Sequence, residues 1–141
     1  MTSPDRVEQL RAIPIFAGLS KPSLERVAAM ATEVELRPGQ VLVQAHEPGS
    51  GMYVVEDGTV SVELRGRTIE LGPGEFFGEL SLLVPEAARS ARVRAATPVR
   101  CLALGRPDFE ALLESEPALA VSMLRTLARR LLKEIGASDG D

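Results

Sequence analysis

The sequence has few of the residues that build disulfides and metal centres. Its 141 residues include one cysteine, one histidine and no tryptophan, and only 4% are aromatic. The lone Cys101 forms no intrachain disulfide, and its alternating apolar surroundings favour a small buried thiol over a nucleophile. The lone His46 falls short of the several ligands that a metal site brings together, so we expect it in a solvated loop and predict no metal site.

Long apolar runs and an excess of positive charge are also missing. No stretch approaches the roughly 18 apolar residues of a membrane-spanning helix, and the N-terminus has no basic segment followed by an apolar one. With 16 Lys and Arg against 20 Asp and Glu, the formal net charge is -4, which repels a phosphate backbone at long range. We therefore expect a soluble, cytoplasmic chain that binds no membrane and, by itself, no nucleic acid.

What the sequence does contain is a change of hydrophobic period along a chain that fits one domain, 1–141. Residues 4–32 place apolar side chains at helical spacing, with Ser20 as the expected N-cap of a second helix that ends near Thr32. Residues 33–104 change to short runs of period two, such as "MYVVEDGTVSVEL", separated by glycine-bearing turns. This pattern predicts an α+β fold, an antiparallel β jelly-roll barrel flanked by N-terminal and C-terminal helices.

Helical spacing returns in residues 106–135, where Pro117 stands at the first turn of a long final helix. An apolar stripe follows that helix: Leu124, Leu127, Leu131 and Ile135. The stripe fits packing on the barrel or a short coiled-coil seam with a second copy, and fewer than three heptads leave both open. We expect residues 136–141, which are small and acidic, to be mobile.

The stretch "FGELSLLVPEAARSARV", residues 77–93, has the chemistry of an anion site. Arg89 offers a planar fork of donors that can take two phosphate oxygens, and Glu79 can accept a hydrogen bond from a sugar hydroxyl. Gly78 allows close approach beside "ELSLL", which could form one helical turn with free N–H groups. On the residues alone, this predicts a phosphate or sugar-phosphate pocket, with a structural ion pair between Glu79 and Arg89 as the alternative.

The same stretch resembles the phosphate-binding cassette of cyclic nucleotide-binding domains, in which FGE precedes a small apolar run and an arginine followed by small residues and valine. "FGELSLL" and "RSARV" match that pattern. The wording "RSA", one free position and "VRA" is most similar to bacterial catabolite-activator-type cyclic-AMP receptor domains. "RPGQVLVQAHEPGSGMYVVEDGTVSV" is similar to the family's early strands, so the resemblance covers nearly the whole chain.

The resemblance implies a set of sugar-phosphate ligands: Gly78, Glu79, Leu80, Arg89, Ser90 and Ala91. In the family, the arginine contacts the phosphate, the glutamate accepts from the ribose 2'-hydroxyl, and the glycine, the leucine and the second small residue donate backbone N–H groups. Serine or alanine at position 90 is compatible with cyclic AMP, whereas threonine there favours cyclic GMP. The implied ligand is therefore cyclic AMP, with cyclic GMP as the alternative, and no other cofactor.

The resemblance also implies a pocket for the purine base. Its wall is expected on Val62, Leu64 and Leu71, with the final helix as a lid from which Arg130 or Glu134 reaches the purine. Arg130 equally fits an exposed helix face that compensates the C-terminal dipole. Arg92 departs from many family members, which place threonine, serine or an aromatic residue there. Its long cation either adds attraction at the pocket mouth or extends into solvent, and we expect solvent.

The leading functional hypothesis is a cyclic nucleotide sensor, not an enzyme, that transmits occupancy through movement of its C-terminal helices. One alternative is a module of the same fold that has lost nucleotide binding and docks partners through its final helix. Another is a metal-dependent enzyme on a similar scaffold, which the single His46 disfavours. No DNA-binding helix pair follows Ile135, so we expect the output to depend on an effector domain or protein not in this chain.

Overall fold

A computed structural model of the chain describes residues 4–43, 51–64, 66–78 and 91–136. The predicted loop around His46, the cassette from 79 to 90 and the predicted mobile tail beyond Gly136 lie outside the described residues. None of the helices in the described ranges has the length and apolar character of a membrane span.

Two short helices and a 3₁₀ turn open the described chain: α1 (Pro4–Arg11), the turn Pro14–Phe16 and α2 (Lys21–Met30). The prediction that Ser20 caps α2 is confirmed, because its side chain accepts a hydrogen bond from the backbone N–H of Ser23 at 3.3 Å. The helix ends two residues before the predicted limit at Thr32, which already belongs to the first strand.

The middle of the chain forms eight described strands: β1 (Thr32–Leu36), β2 (Val41–Val43), β3 (Gly51–Asp57), β4 (Val60–Leu64), β5 (Arg67–Leu71), β6 (Phe76–Phe77), β7 (Ala91–Ala95) and β8 (Val99–Gly105). They pair antiparallel in two sheets, with orders β1-β8-β3-β6 and β2-β7-β4-β5. The predicted jelly-roll α+β fold is confirmed, as two four-stranded sheets in place of a closed ring.

Alternation along the strands divides the apolar residues between two cores, because successive side chains point to opposite faces of a sheet. On β3, Met52 and Val54 pack against the helices, whereas Val55 packs between the two sheets. On β6, Phe76 belongs to the helix-side core and Phe77 to the core between the sheets. The edge strand β6 therefore faces both cores.

Two helices follow the sheets: α3 (Arg106–Ser115) and α4 (Pro117–Glu134). At the start of α4, Leu119 and Met123 are buried in the helix-side core, and Leu127 packs against that core. The predicted apolar stripe divides at this point. Its other members are exposed, with relative accessibilities of 66% for Leu124, 61% for Leu131 and 67% for Ile135.

An ion-pair cluster joins α1 to the first sheet. Arg6 Nη1 lies 3.0 Å from Glu56 Oε2 on β3 and 3.7 Å from Glu33 Oε2 on β1. Arg100 Nε on β8 lies 3.7 Å from Glu56 Oε1. Because only 8% of the Glu56 side chain is exposed, its charge depends on these cations for compensation.

Candidate functional site

Gly78 is the last described residue at the start of the predicted cassette, and only glycine fits its backbone. Its φ is 90°, in the left-handed region that residues with a Cβ rarely adopt. A Cβ there would lie 2.7 Å from the carbonyl oxygen of Gly51 and 3.3 Å from Cδ1 of Tyr53. The sequence predicts that backbone comes close at Gly78, and the structure has a turn at this residue with no room for a side chain.

An aromatic pair supports the backbone beside this turn. Tyr53 and Phe77 are register partners on β3 and β6, and their rings stack with centroids 5.1 Å apart and planes 18° apart. Phe77 is buried between the sheets, and Tyr53 is partly buried against the same core. Such a stacked pair stabilises the strand end from which Gly78 departs.

Ala91, the first described residue after position 90, begins β7 and pairs in register with Leu64 on β4. Val62, also on β4, is partly buried, and so is its register partner on β5, Ile69. Leu71 is 5% exposed and contributes to the core between the sheets. The fold thus brings the end of the cassette to the strands that carry the predicted wall of the base pocket.

Arg130 lies on α4 against β6. Its Nη2 donates a hydrogen bond to the carbonyl oxygen of Phe76 at 2.8 Å, and its guanidinium carbon stands 4.4 Å from the centroid of the Phe76 ring. Glu134 ends the same helix, one turn further on. The contact with Phe76 is absent from the sequence predictions because 54 residues separate the two and no local pattern links them.

Arg92, the residue that departs from the family pattern, makes an ion pair on the second sheet. Its Nε lies 2.6 Å from Oε1 of Glu63, its register partner on β4, and 41% of its side chain is exposed. The next residue, Val93, is buried between the sheets, so alternation directs Arg92 to the outer face. This agrees with the expected direction toward solvent.

Four of the predicted ligands, Glu79, Leu80, Arg89 and Ser90, lie outside the described residues, and their roles stay predictions. Within the described ranges no group of three or more His, Cys, Asp or Glu side chains is placed to hold a metal. Cys101 is buried, as predicted, and burial together with the negative charge of Glu56 raises the pKa of its thiol from 9.0 to about 11. The thiol is therefore protonated at neutral pH and is a poor nucleophile.

The chain matches known proteins over these strands and helices. The family model for the cyclic nucleotide-binding domain matches residues 33–116. The chain is 38% identical over 119 residues to a cyclic nucleotide-gated potassium channel of Mesorhizobium japonicum, a match that covers 84% of this chain and 33% of the channel.

Two solved structures have similar folds. The catabolite activator protein of Thermus thermophilus has a TM-score of 0.74 and 32% identity, covering 89% of this chain and 62% of that one. The regulatory subunit of a cAMP-independent protein kinase A from Trypanosoma brucei has a TM-score of 0.77 and 28% identity, covering 86% and 44%. The chain thus spans about a third of the channel's length and less than two thirds of each of these two proteins.

Proposed function

This chain belongs to the cyclic nucleotide-binding domain family and is a regulatory domain of that family, and we propose that the cyclic nucleotide it binds is cyclic AMP. The observation that supports the site is Gly78, where the family motif has its glycine: its φ is positive, and a Cβ there would lie 2.7 Å from the carbonyl oxygen of Gly51, so only glycine fits. The next described residue, Ala91, is the register partner of Leu64 on the second sheet.

In the proposed complex, each polar group of the cassette takes a different part of the ligand. Arg89 forms a bidentate contact with the cyclic phosphate, a geometry that suits its planar fork. Glu79 accepts a hydrogen bond from the ribose 2'-hydroxyl, which keeps the carboxylate from facing the phosphate. The backbone N–H groups of Gly78, Leu80 and Ala91 complete the anion site, with Ser90 as the neighbouring small polar residue.

The base stacks, in this proposal, against the apolar side of the second sheet. Val62 and Ile69 are register partners that are both only partly buried, so they present apolar surface that a purine can cover. Leu64 and Leu71 extend this wall along the same two strands. On the helix side the proposed site is closed by α4, the helix that carries Arg130 and Glu134. Ser90 favours cyclic AMP over cyclic GMP.

The domain acts, we infer, as a sensor and not as an enzyme. For occupancy to be transmitted, the nucleotide must bind one arrangement of α3 and α4 better than another, since equal affinity would shift nothing. The output then passes to an effector domain or protein. The cyclic nucleotide-gated potassium channel to which the chain is similar suggests ion conduction as one kind of output.

A second copy of this chain is the proposed partner of α4. Val121, Leu124, Ala128, Leu131 and Ile135 follow one another at steps of three and four residues, the spacing of a two-stranded coiled coil. All five are exposed in the described structure. Because Leu119 and Met123 bury the opposite side of α4 against the core, the exposed side is available to a second copy.

The function is tested by calorimetric titration of the protein with cyclic AMP, cyclic GMP and, as a control for the closed phosphate ring, 5'-AMP. We expect saturable binding of cyclic AMP, weaker binding of cyclic GMP and none of 5'-AMP. The alternative is a domain of this fold that docks partners without binding nucleotide. It is motivated by the similar kinase regulatory subunit, whose kinase is described as cAMP-independent. Absence of heat and of thermal stabilisation with millimolar cyclic nucleotide would favour that alternative.

A further inference from the structure

The contact between Arg130 and Phe76 joins the final helix to the strand that leads into the proposed ligand site. Phe76 lies two residues before Gly78, on β6, which is the terminal strand of its sheet. The guanidinium both donates to the Phe76 carbonyl at 2.8 Å and stands over the Phe76 ring at 4.4 Å. The two interactions constrain the helix against backbone and side chain at once.

Because of its position along α4, Arg130 holds the part of the helix that apolar packing does not fix. The start of α4 is fixed by Glu116, whose Oε2 accepts hydrogen bonds from Ser23 Oγ at 2.7 Å and from Arg26 Nη1 at 3.1 Å. Apolar packing against the helix-side core continues as far as Leu127. Beyond it Leu131 and Ile135 are exposed, so Arg130 holds α4 where its apolar packing ends.

On the strand side, the contact is rigidly connected to Gly78. Phe76 and Phe77 are 1% and 3% exposed and pack into opposite cores, so β6 cannot rotate without disturbing both. A displacement of the Phe76 carbonyl is therefore passed to the Gly78 backbone. Space at Gly78 is already limited, because a Cβ there would lie 2.7 Å from the carbonyl oxygen of Gly51.

We propose that Arg130 is a positioning residue that couples α4 to the ligand site: by holding the Phe76 carbonyl it stabilises the Gly78 backbone in the placement that binds the cyclic phosphate. This inference rests on the proposed function. It makes docking of α4 and nucleotide affinity mutually dependent, because coupling between two equilibria is reciprocal. It also differs from a direct contact with the purine, since the effect passes through backbone that every cyclic nucleotide shares.

The test compares Arg130→Gln with Arg129→Gln, a matched control that removes a neighbouring exposed arginine from the same helix. Without added nucleotide, Arg130→Gln should speed hydrogen exchange of the α4 amides after Leu127 by about fivefold or more, and Arg129→Gln should leave it unchanged. In calorimetry, Arg130→Gln should lower the affinities for cyclic AMP and for cyclic GMP by the same factor, roughly fivefold or more.

Three results would overturn the coupling. The first is unchanged hydrogen exchange in Arg130→Gln, and the second is faster exchange with unchanged affinity. The third is a change of more than about threefold in the ratio of the cyclic AMP and cyclic GMP affinities, which indicates a purine contact.

A Phe76→Leu variant, alone and combined with Arg130→Gln, keeps the carbonyl and removes the ring. Its effect on exchange should be non-additive with that of Arg130→Gln. If the wild-type protein binds neither nucleotide, the proposed function and its coupling both fail, and the exchange data still decide whether Arg130 holds the helix.

Discussion

Gly78 and Gly51 approach so closely that a Cβ atom at residue 78 would stand 2.7 Å from the carbonyl oxygen of residue 51. Real Cβ atoms do not come within that distance of a backbone oxygen, so the two strands would have to separate to admit one. Because Gly78 belongs to the predicted cassette, the same constraint that shapes the turn also places the backbone at which the proposed ligand site begins.

Gly78→Ala should therefore destabilise the protein more than a positive φ alone requires. Gly39→Ala is the matched control, because Gly39 has φ 85° and no atom within 4 Å of a Cβ. The control should cost about 1 to 2 kcal/mol of unfolding free energy, and Gly78→Ala about 1 to 3 kcal/mol more because of the clash. Urea unfolding measures both, and equal losses would show that the approach to Gly51 does not matter.

Removal of Arg6 should loosen α1 from the first sheet. Arg6→Met leaves the largely buried Glu56 with Arg100 at 3.7 Å as its described ion-pair partner, so we expect a loss of about 1 to 3 kcal/mol. The control is Glu8→Gln, which breaks the exposed pair of Glu8 with Arg11 and should cost less than about 0.5 kcal/mol. Chemical unfolding compares them, and similar losses would contradict a structural role for the cluster.

Stability at alkaline pH should depend on Cys101. Its thiol has a pKa of about 11 in the folded protein against 9.0 ordinarily, so below about pH 9 it is neutral in both states and its contribution is complete. Between these values the unfolded thiol ionises first, and stability is lost as pH rises through the folded pKa. Relative to Cys101→Ala, the wild-type protein should lose up to about 2 to 3 kcal/mol across this window.

Urea titrations of the two proteins at about pH 8 and about pH 10.5 make this comparison, since the remaining titratable groups are common to both. A parallel decline in the two proteins would mean that the thiol is not the group responsible. The native protein should also resist thiol reagents until it unfolds.

The exposed side of α4 should hold two copies together. Leu124→Lys combined with Leu131→Lys places charges on the seam and should convert a dimer to a monomer, whereas Arg129→Gln should leave the dimer intact. Sedimentation velocity at several concentrations reports the difference. A wild-type protein that remains monomeric at about 100 µM would contradict the proposed seam.

The sequence predicts the local features of this fold well because short-range chemistry determines them. Ser20 satisfies a helix N-terminus three residues away, and the alternation around Cys101 places its thiol in the core. Pro117 begins α4 as predicted. In each case the information lies within a few residues of the feature.

The sequence does not predict features that depend on distant strands and helices. The contacts of Arg6 with Glu56 and of Arg130 with Phe76 join residues 50 and 54 positions apart, and either arginine alone resembles an ordinary exposed helix residue. The division of the α4 stripe into packed and exposed side chains also depends on distant parts of the chain. Spacing alone places Leu127 with Leu124 and Leu131, and only the position of the helix on the core directs Leu127 inward.

The central claim is that Arg89 holds the phosphate of a cyclic nucleotide, and calorimetry of Arg89→Ala against Arg92→Ala tests it most directly. Arg92 is the matched control because it pairs with Glu63 on the outer face of the second sheet. Arg89→Ala should weaken cyclic AMP binding by about 2 to 5 kcal/mol, while Arg92→Ala should change it little. A loss of less than about threefold in Arg89→Ala, or an equal loss in both variants, would contradict the account.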